Sequence, residues 1–404
     1  LKGHVYRRGC TCKKKKCTCR AKYTYVVDVG IDPKTGKRKQ KSKGGFRTKH
    51  EAELALASLI HDIQAGTFIK ESEELFKDFA KDWLVIYAET NSVKPGTIRV
   101  RQHEINNLLP YLANLKLRSI TRETYQNTLN DLKDKGYADN TLSGIHRTGR
   151  MIFRKAVEME KVKRDPTEFA YLRKTKRSVE DLESNEIPKY LEKEELNLFL
   201  QTAKEKGLFL DYLIFLTLSY TGIRVGELVA LKWKDVDFNQ HTIKITKTYY
   251  NPTNNTQKYQ LVPPKTKKSK RTISIDEEII VHLKKHLATQ NKMKMKKRNM
   301  YHDENFIFAK KERKPGYPIV IKIVETRMKR LLKIAGLNEA LTPHSLRHTH
   351  TSLLAEAHVN LQIIMERLGH TDDQTTKNIY LHVTQDMKKE ASQKFGELMR
   401  SLKK

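Results

Sequence analysis

Apolar residues along the chain change their period more than once, and each change marks a different kind of structure. To about Lys70 the pattern is that of strands. Tyr23–Gly30 (YTYVVDVG) is rich in aromatic and β-branched residues and predicts one strand. The Asp-Pro and Thr-Gly pairs of DPKTGK (Asp32–Lys37) predict a turn, and Arg38–Phe46 (RKQKSKGGF) a second strand with a strongly basic face. Thr48 and Glu51 have capping-box spacing and open a helix whose apolar side carries Ala52, Leu56, Leu59, Ile60 and Ile63.

From Glu73 to about Glu160 the period becomes helical. Phe76, Phe79, Trp83, Ile86 and Tyr87 form one stripe, and Pro95 and Gly96 open a second helix with Ile98, Ile105, Leu108 and Leu109. Ile120–Leu132 predicts a third. Asn140–Val157 predicts a fourth, with Leu142, Ile145, Ile152 and Phe153 on one side and Arg147, Arg150 and Arg154 along another. Arg164–Pro188 is charged, bounded by prolines and without apolar period, which reads as a linker. Beyond it, helices are expected at Glu192–Lys206, Leu208–Tyr220, Ile319–Ala335, Pro343–Glu356 and Asn360–Leu368, with strands around Thr242–Tyr250 and Arg271–Ile275. The expected domains are residues 1–70, 71–165 and 189–404, with 166–188 as linker.

Charge narrows the partners. Lys plus Arg number 79 against 47 Asp plus Glu, a formal net charge of +32. Such an excess calls for a polyanion, usually nucleic acid, with a membrane surface as the rival. The most apolar run, Leu208–Ile223, is interrupted by Asp211 and reads as a buried helix, and no secretory signal is visible. The expectation is an intracellular, cytoplasmic chain with no membrane partner. A small basic sheet backed by one helix suits a major groove, which makes Lys39, Lys41 and Lys43 candidate DNA contacts. The arginine stripe 147, 150 and 154 suits a row of phosphates. Solvated faces are the alternative for both.

Four stretches of the last domain carry side chains fit for phosphoryl chemistry. TGIRVGELVALKW (Thr221–Trp233) sets an arginine just after a helix-breaking Gly, where its planar fork reaches two phosphate oxygens, with Glu227 three residues on to hold that fork. PKTKKSKRTISI (Pro264–Ile275) lies between the alternating stretches Tyr259–Val262 and Thr272–Ile275, so Lys265 is expected in or beside a β-hairpin loop. LTPHSLRHTH (Leu341–His350) starts a helix at Thr342 and Pro343 and puts His344, Arg347 and His348 on one face. Zinc is the competing reading of that histidine pair, but H-E-x-x-H needs a Glu where this chain has Ser345, and Arg347 would repel a cation. RLGHTDDQTTKNIYLHV (Arg367–Val383) has a His after a Leu-Gly helix end and a Tyr ten residues later. Singly each is ordinary. Together they supply charge for a pentacoordinate phosphorane, a general acid, a base and a hydroxyl nucleophile without a metal.

TGIRVGEL, PKTKKSKR, HSLRHT, LGH and NIYLHV, in this order, closely resemble the motifs of the tyrosine recombinase (phage integrase) family. The resemblance implies catalytic roles for Arg224, Lys265, His344, Arg347, His370 and Tyr380, with Glu227 in support. Lys265 would protonate the 5′-oxygen and Tyr380 would form a 3′-phosphotyrosyl link, while His348 is a packing or supporting residue. It also implies the multidomain fold of phage and conjugative-transposon integrases: a small α+β arm-binding domain with a three-stranded sheet, an all-α core-binding domain, and a mixed, mainly-α catalytic domain of the tyrosine recombinase / type IB topoisomerase type. The implied activity is site-specific integration and excision of a mobile element or prophage. The family acts as a tetramer on two double-stranded DNA duplexes with arm and core attachment sites, needing neither ATP nor a metal. A host bending protein and an excisionase are the implied accessory partners, and the bacterial nucleoid the implied location. A non-enzymatic DNA-binding regulator and a type IB topoisomerase are the alternatives.

CTCKKKKCTC holds all four cysteines, Cys10, Cys12, Cys17 and Cys19. Four thiolates suffice for a tetrahedral structural zinc, and free thiols are the alternative.

Overall fold

The computed structural model describes residues 3–9, 21–31, 38–64, 73–90, 93–173, 190–264, 269–369, 374–383 and 400. The four cysteines, Lys265, His370 and most of the tail after Val383 lie outside them. The chain divides into two compact units, Leu1–Lys176 and Arg177–Lys404.

In the first unit β1 (Gly3–Arg7), β2 (Tyr23–Ile31) and β3 (Arg38–Phe46) form an antiparallel sheet in that order. β1 is the strand that residue patterning leaves out, because Val5 and Tyr6 are its only large apolar residues. Helix α1 (Lys49–Gln64) covers one face and packs Leu56 and Leu59 on Tyr25 and Val27. Glu51 N donates to Thr48 Oγ1 at 3.1 Å. The returning bond comes from Arg47 N to Glu51 Oε2 at 3.0 Å, one residue short of a full capping box.

The four helices expected next are α2 (Phe76–Thr90), α3 (Pro95–Leu112), α4 (Arg122–Asp134) and α5 (Asp139–Glu158). They enclose a core that includes Phe76, Phe79, Trp83, Leu108, Tyr125 and Phe153. The chain stays on this core beyond α5: Ala170 and Leu172 pack against it, and Arg173 Nη2 donates to the Asn130 carbonyl at 2.8 Å. A stretch with no apolar period is held here by individual hydrogen bonds rather than by a stripe.

The second unit is built around α7 (Asp211–Thr221), which follows α6 (Lys193–Lys206). Leu213, Ile214, Phe215, Leu216 and Leu218 of α7 are all buried, so its apolar run is enclosed on every side. Asp211 is fully buried and answered by Arg327 Nη1 at 3.0 Å and Arg330 Nη2 at 3.5 Å. After α8 (Val225–Val229) come two small sheets. One is β4 (Val236–Asp237), β5 (Thr242–Ile245) and β8 (Arg271–Ser274); the other is β6 (Thr248–Tyr250) with β7 (Gln260–Val262). The stretches on either side of Lys265 therefore do not pair as a hairpin. β7 pairs with β6 and β8 with β5, and the strand expected over Thr242–Tyr250 is divided between the two sheets.

The helices that follow are α9 (Glu277–Lys297), α10 (Ile321–Ile334), α11 (Pro343–Glu356), α12 (Leu361–Leu368) and α13 (Gln374–Val383). α9 goes beyond the helices that the residue pattern predicts; the basic run Lys292–Lys297 forms its last turns and Arg298 caps it. Among the described residues no helix is long and apolar enough to cross a membrane.

Candidate active site

Burial of α7 decides where the first candidate arginine stands. The helix ends at Gly222, with φ +63°, and a Cβ there would lie 2.6 Å from His350 Cδ2 and 2.8 Å from Leu368 Cδ2. Only glycine meets both conditions. Ile223 turns into the core and Arg224 turns out, its side chain 38% exposed.

Glu227, one turn along α8 and 3% exposed, gathers four donors. Oε1 accepts from Arg224 Nη1 at 3.1 Å and Arg271 Nη1 at 3.3 Å; Oε2 accepts from Arg224 N at 3.1 Å and Arg271 Nη2 at 2.9 Å. Burial alone would raise this carboxyl's pKa. The hydrogen bonds and charges of Arg271, then Arg224, outweigh it and hold the group below the usual carboxylate range.

α11 begins as its sequence implies. Thr342 N donates to Ser345 Oγ at 3.2 Å, so the residue that replaces the zinc-motif Glu closes a capping box. His344 is exposed and His348 half-buried, their rings edge to face at 4.8 Å. Arg347 is 2% exposed: Nη1 donates to the Gly222 carbonyl and Nη2 to the Leu368 carbonyl, each at 2.7 Å. One guanidinium thus joins the end of α7 to the end of α12. α12 stops at Gly369, φ +71°, directly before His370 in the chain. α13 packs on α11 and carries Tyr380, half-buried against the cluster of Ala355, Ile364 and Leu368. Arg224, Arg347, Tyr380 and the end of α12 are thereby brought to one region; Lys265 and His370 lie outside the described residues.

Three further residues belong to this region and were not singled out. Arg271 has both ends of its fork on Glu227 and Nε on the Arg367 carbonyl at 2.7 Å. His350, 6% exposed, has Nδ1 at 2.9 Å from the Ser219 carbonyl, and its Nε2 accepts from Arg367 Nε at 3.1 Å. Arg367 Nη2 also donates to the Tyr220 carbonyl at 3.1 Å. Strand alternation was the available signal for Arg271, which is in phase with buried Ile273 and Ile275.

Elsewhere, Arg147 and Arg154 are exposed on α5 and Arg150 is half-buried. Lys41 and Lys43 are exposed on β3, but the register sets them opposite Val27 and Tyr25, on the face that α1 covers. The open face carries His4, Tyr6, Val26, Gln40 and Ser42 instead. Lys39, also on β3, pairs with Gly30 of β2. Among the described residues no group of three or more His, Cys, Asp or Glu side chains is arranged to hold a metal.

The chain matches the phage integrase family over residues 189–387, an arm DNA-binding domain over 14–63 and the N-terminal SAM-like domain of phage integrases over 75–133. The integrase of Staphylococcus phage L54a is 31% identical over 348 residues, 82% of this chain and 96% of that one. The prophage ps2 probable integrase of Lactococcus lactis subsp. lactis is 30% identical, covering 88% and 92%. The fold is that of the Tn1549 transposon integrase, whose structure in complex with transposon right end DNA matches with a TM-score of 0.63 at 21% identity, over 79% of this chain and 99% of that one. Motifs, fold and relatives agree: this chain belongs to the phage integrase family of tyrosine recombinases, the DNA strand-transferring enzymes that recombine mobile elements site-specifically.

Proposed function

We propose that Tyr380 Oη attacks the scissile phosphorus of an attachment site, breaking the P–O5′ bond and forming a 3′-phosphotyrosyl ester. The phenolic proton passes to an imidazole, for which His344 is suited by its exposure on the first turn of α11. Lys265 protonates the departing 5′-oxygen, a role that rests on its motif. Arg224 meets the phosphate from the exposed side, Arg347 supplies its charge from beneath, and His370 completes the set on the strength of the LGH motif. Attack by a 5′-hydroxyl from the second duplex reverses each step, and the ester conserves the energy of the broken bond. The family is generally independent of cofactors.

The observation that carries this reading is the joining of the Gly222 and Leu368 carbonyls by Arg347, with the Tyr380 helix packed on the same α11. A nicked core-site duplex that loses its 5′-fragment after cleavage tests it. Native chain accumulates covalent adduct and Tyr380→Phe forms none; no adduct from native chain on its own site defeats the proposal.

The reading extends to the whole chain. The N-terminal sheet engages arm sites and α5 tracks core-site phosphates through Arg147, Arg150 and Arg154. Lys39, Lys41 and Lys43 flank the arm duplex, and the active species is a homotetramer on two duplexes in the bacterial nucleoid, served by a host bending protein and an excisionase. Cys10, Cys12, Cys17 and Cys19 hold a structural zinc. Elemental mass spectrometry on protein purified without chelator checks this, and a zinc content near zero rules it out.

A further inference from the structure

Three buried or half-buried arginines tie the end of α7 and its following turn to the end of α12. Arg347 spans the Gly222 and Leu368 carbonyls. Arg367 reaches back to the Tyr220 carbonyl and, through His350, to that of Ser219. Arg271, from β8, spans Glu227 and the Arg367 carbonyl. Arg347 and Arg367 stand on α11 and α12, within or beside the motifs of the family. Arg271 comes instead from a strand, as the last residue of PKTKKSKR, and falls in none of the roles assigned above.

Its contacts are those of a spacer. The side chain is 7% exposed, and its Nη1 also donates to the Ser269 carbonyl at 3.1 Å, so four of its five N–H donors are engaged by protein. A guanidinium so enclosed has little left for a DNA phosphate. What it does touch is Glu227, the carboxylate that fixes Arg224, and the turn that precedes His370. A Cβ on Gly369 would lie 3.1 Å from Arg271 Nη1 and 3.2 Å from its Cδ, so the turn leans directly on this side chain.

We propose that Arg271 is a positioning residue for strand cleavage: it sets Arg224, through Glu227, and the end of α12 at Gly369 at a fixed separation across the scissile phosphate. The proposal rests on the active-site reading above. Lysine cannot replace it, since a single ammonium does not present a fork to the carboxylate and a third donor to a carbonyl at once.

The test uses the full chain and the nicked core-site duplex, measuring single-turnover adduct formation at saturating DNA, DNA affinity by gel shift, and the thermal midpoint. Arg271→Met is expected to slow adduct formation about 100-fold, the scale set by misplacing a catalytic group by about 1 Å, with affinity unchanged. Arg271→Lys, which keeps the charge, is expected to keep the native midpoint yet cleave at least roughly tenfold more slowly. Because Arg271 acts through Glu227, the Glu227→Gln/Arg271→Met double variant is expected to be no slower than the worse single variant. A native rate in Arg271→Lys, or losses that multiply in the double variant, overturns the proposal, and Arg271→Lys keeps the test valid if Arg271→Met fails to fold. Adduct from Tyr380→Phe, or none from native chain, would instead overturn the active-site reading.

Discussion

Acid is expected to weaken the catalytic unit through His350 before it acts through the buried carboxylates. In the neutral ring Nδ1–H donates to the Ser219 carbonyl and Nε2 accepts from Arg367 Nε. A second proton would set Nε2–H against that guanidinium. Burial first, and the Arg367 charge second, hold the imidazole at about 3 against an ordinary value of 6.5. Above pH 6.5 both folded and unfolded states are neutral here and the contribution is complete. Below it the unfolded chain takes up a proton that the folded chain refuses, so stability falls with pH until the folded ring itself titrates. The slope is about 1.4 kcal/mol per pH unit, or about 2 kcal/mol lost by pH 5. For a unit of this size that corresponds to roughly 4–8 °C in the unfolding midpoint. The measurement is thermal unfolding of the full chain at pH 7.5 and pH 5, with His350→Gln alongside. His286, also held low by burial, adds a loss of the same sign to both proteins, so the difference between them isolates His350. The variant is expected to start lower and fall less. Parallel losses in the two proteins would refute the reasoning.

Three further outcomes follow from the same geometry. Gly222→Ala combines a left-handed φ with a Cβ 2.6 Å from His350, and is expected to cost about 2–4 kcal/mol in urea unfolding; a loss below about 1 kcal/mol would show that the turn relaxes freely. Glu227→Gln leaves Arg271 and Arg224 facing an amide, and is expected to cost about 3–5 kcal/mol at pH 7. Because the folded carboxyl lies below its ordinary value of 4.5, that deficit should persist above pH 4.5 and shrink as pH falls through the folded value, which paired unfolding curves at pH 7 and 3 would show. Replacing Arg147 and Arg154 together by Ala should weaken core-site binding and reduce the slope of log affinity on log salt by about 2, and an unchanged slope in a salt titration would remove α5 from the interface.

Much of this architecture is legible in the residues, and the misses share a physical cause. The four helices of the core-binding domain and the turn at Gly222 carry local signals: a 3.6-residue stripe, a capping pair, a glycine where φ is positive. Arg271 sits in KKSKR, where every residue invites the same solvated reading, and only its phase with Ile273 distinguishes the cation that is desolvated. Strand partners are chosen by contacts far along the chain. Two alternating stretches around a turn therefore looked like a hairpin, although β7 and β8 belong to different sheets. α9 was hidden because lysines occupy its exposed face and final turns, blurring the period that Ile279, Ile280 and Leu283 begin. His350 and Arg367 stand beside recognisable motifs, yet a hydrogen bond between two helices leaves no trace in the spacing within either.

The register of β2 and β3 bears on how the target preference of such a recombinase could be redirected. With Lys41 and Lys43 turned to the helix-covered side, the open face of the N-terminal sheet is left to the neutral groups of His4, Tyr6, Gln40 and Ser42, together with Asp28, whose carboxylate is paired with Arg38 at 3.8 Å. If that face meets base edges, the lysines govern how firmly any duplex is held and the four neutral positions govern which duplex is chosen. A library aimed at new arm sites belongs at positions 4, 6, 40 and 42, where diversity leaves the electrostatic grip intact.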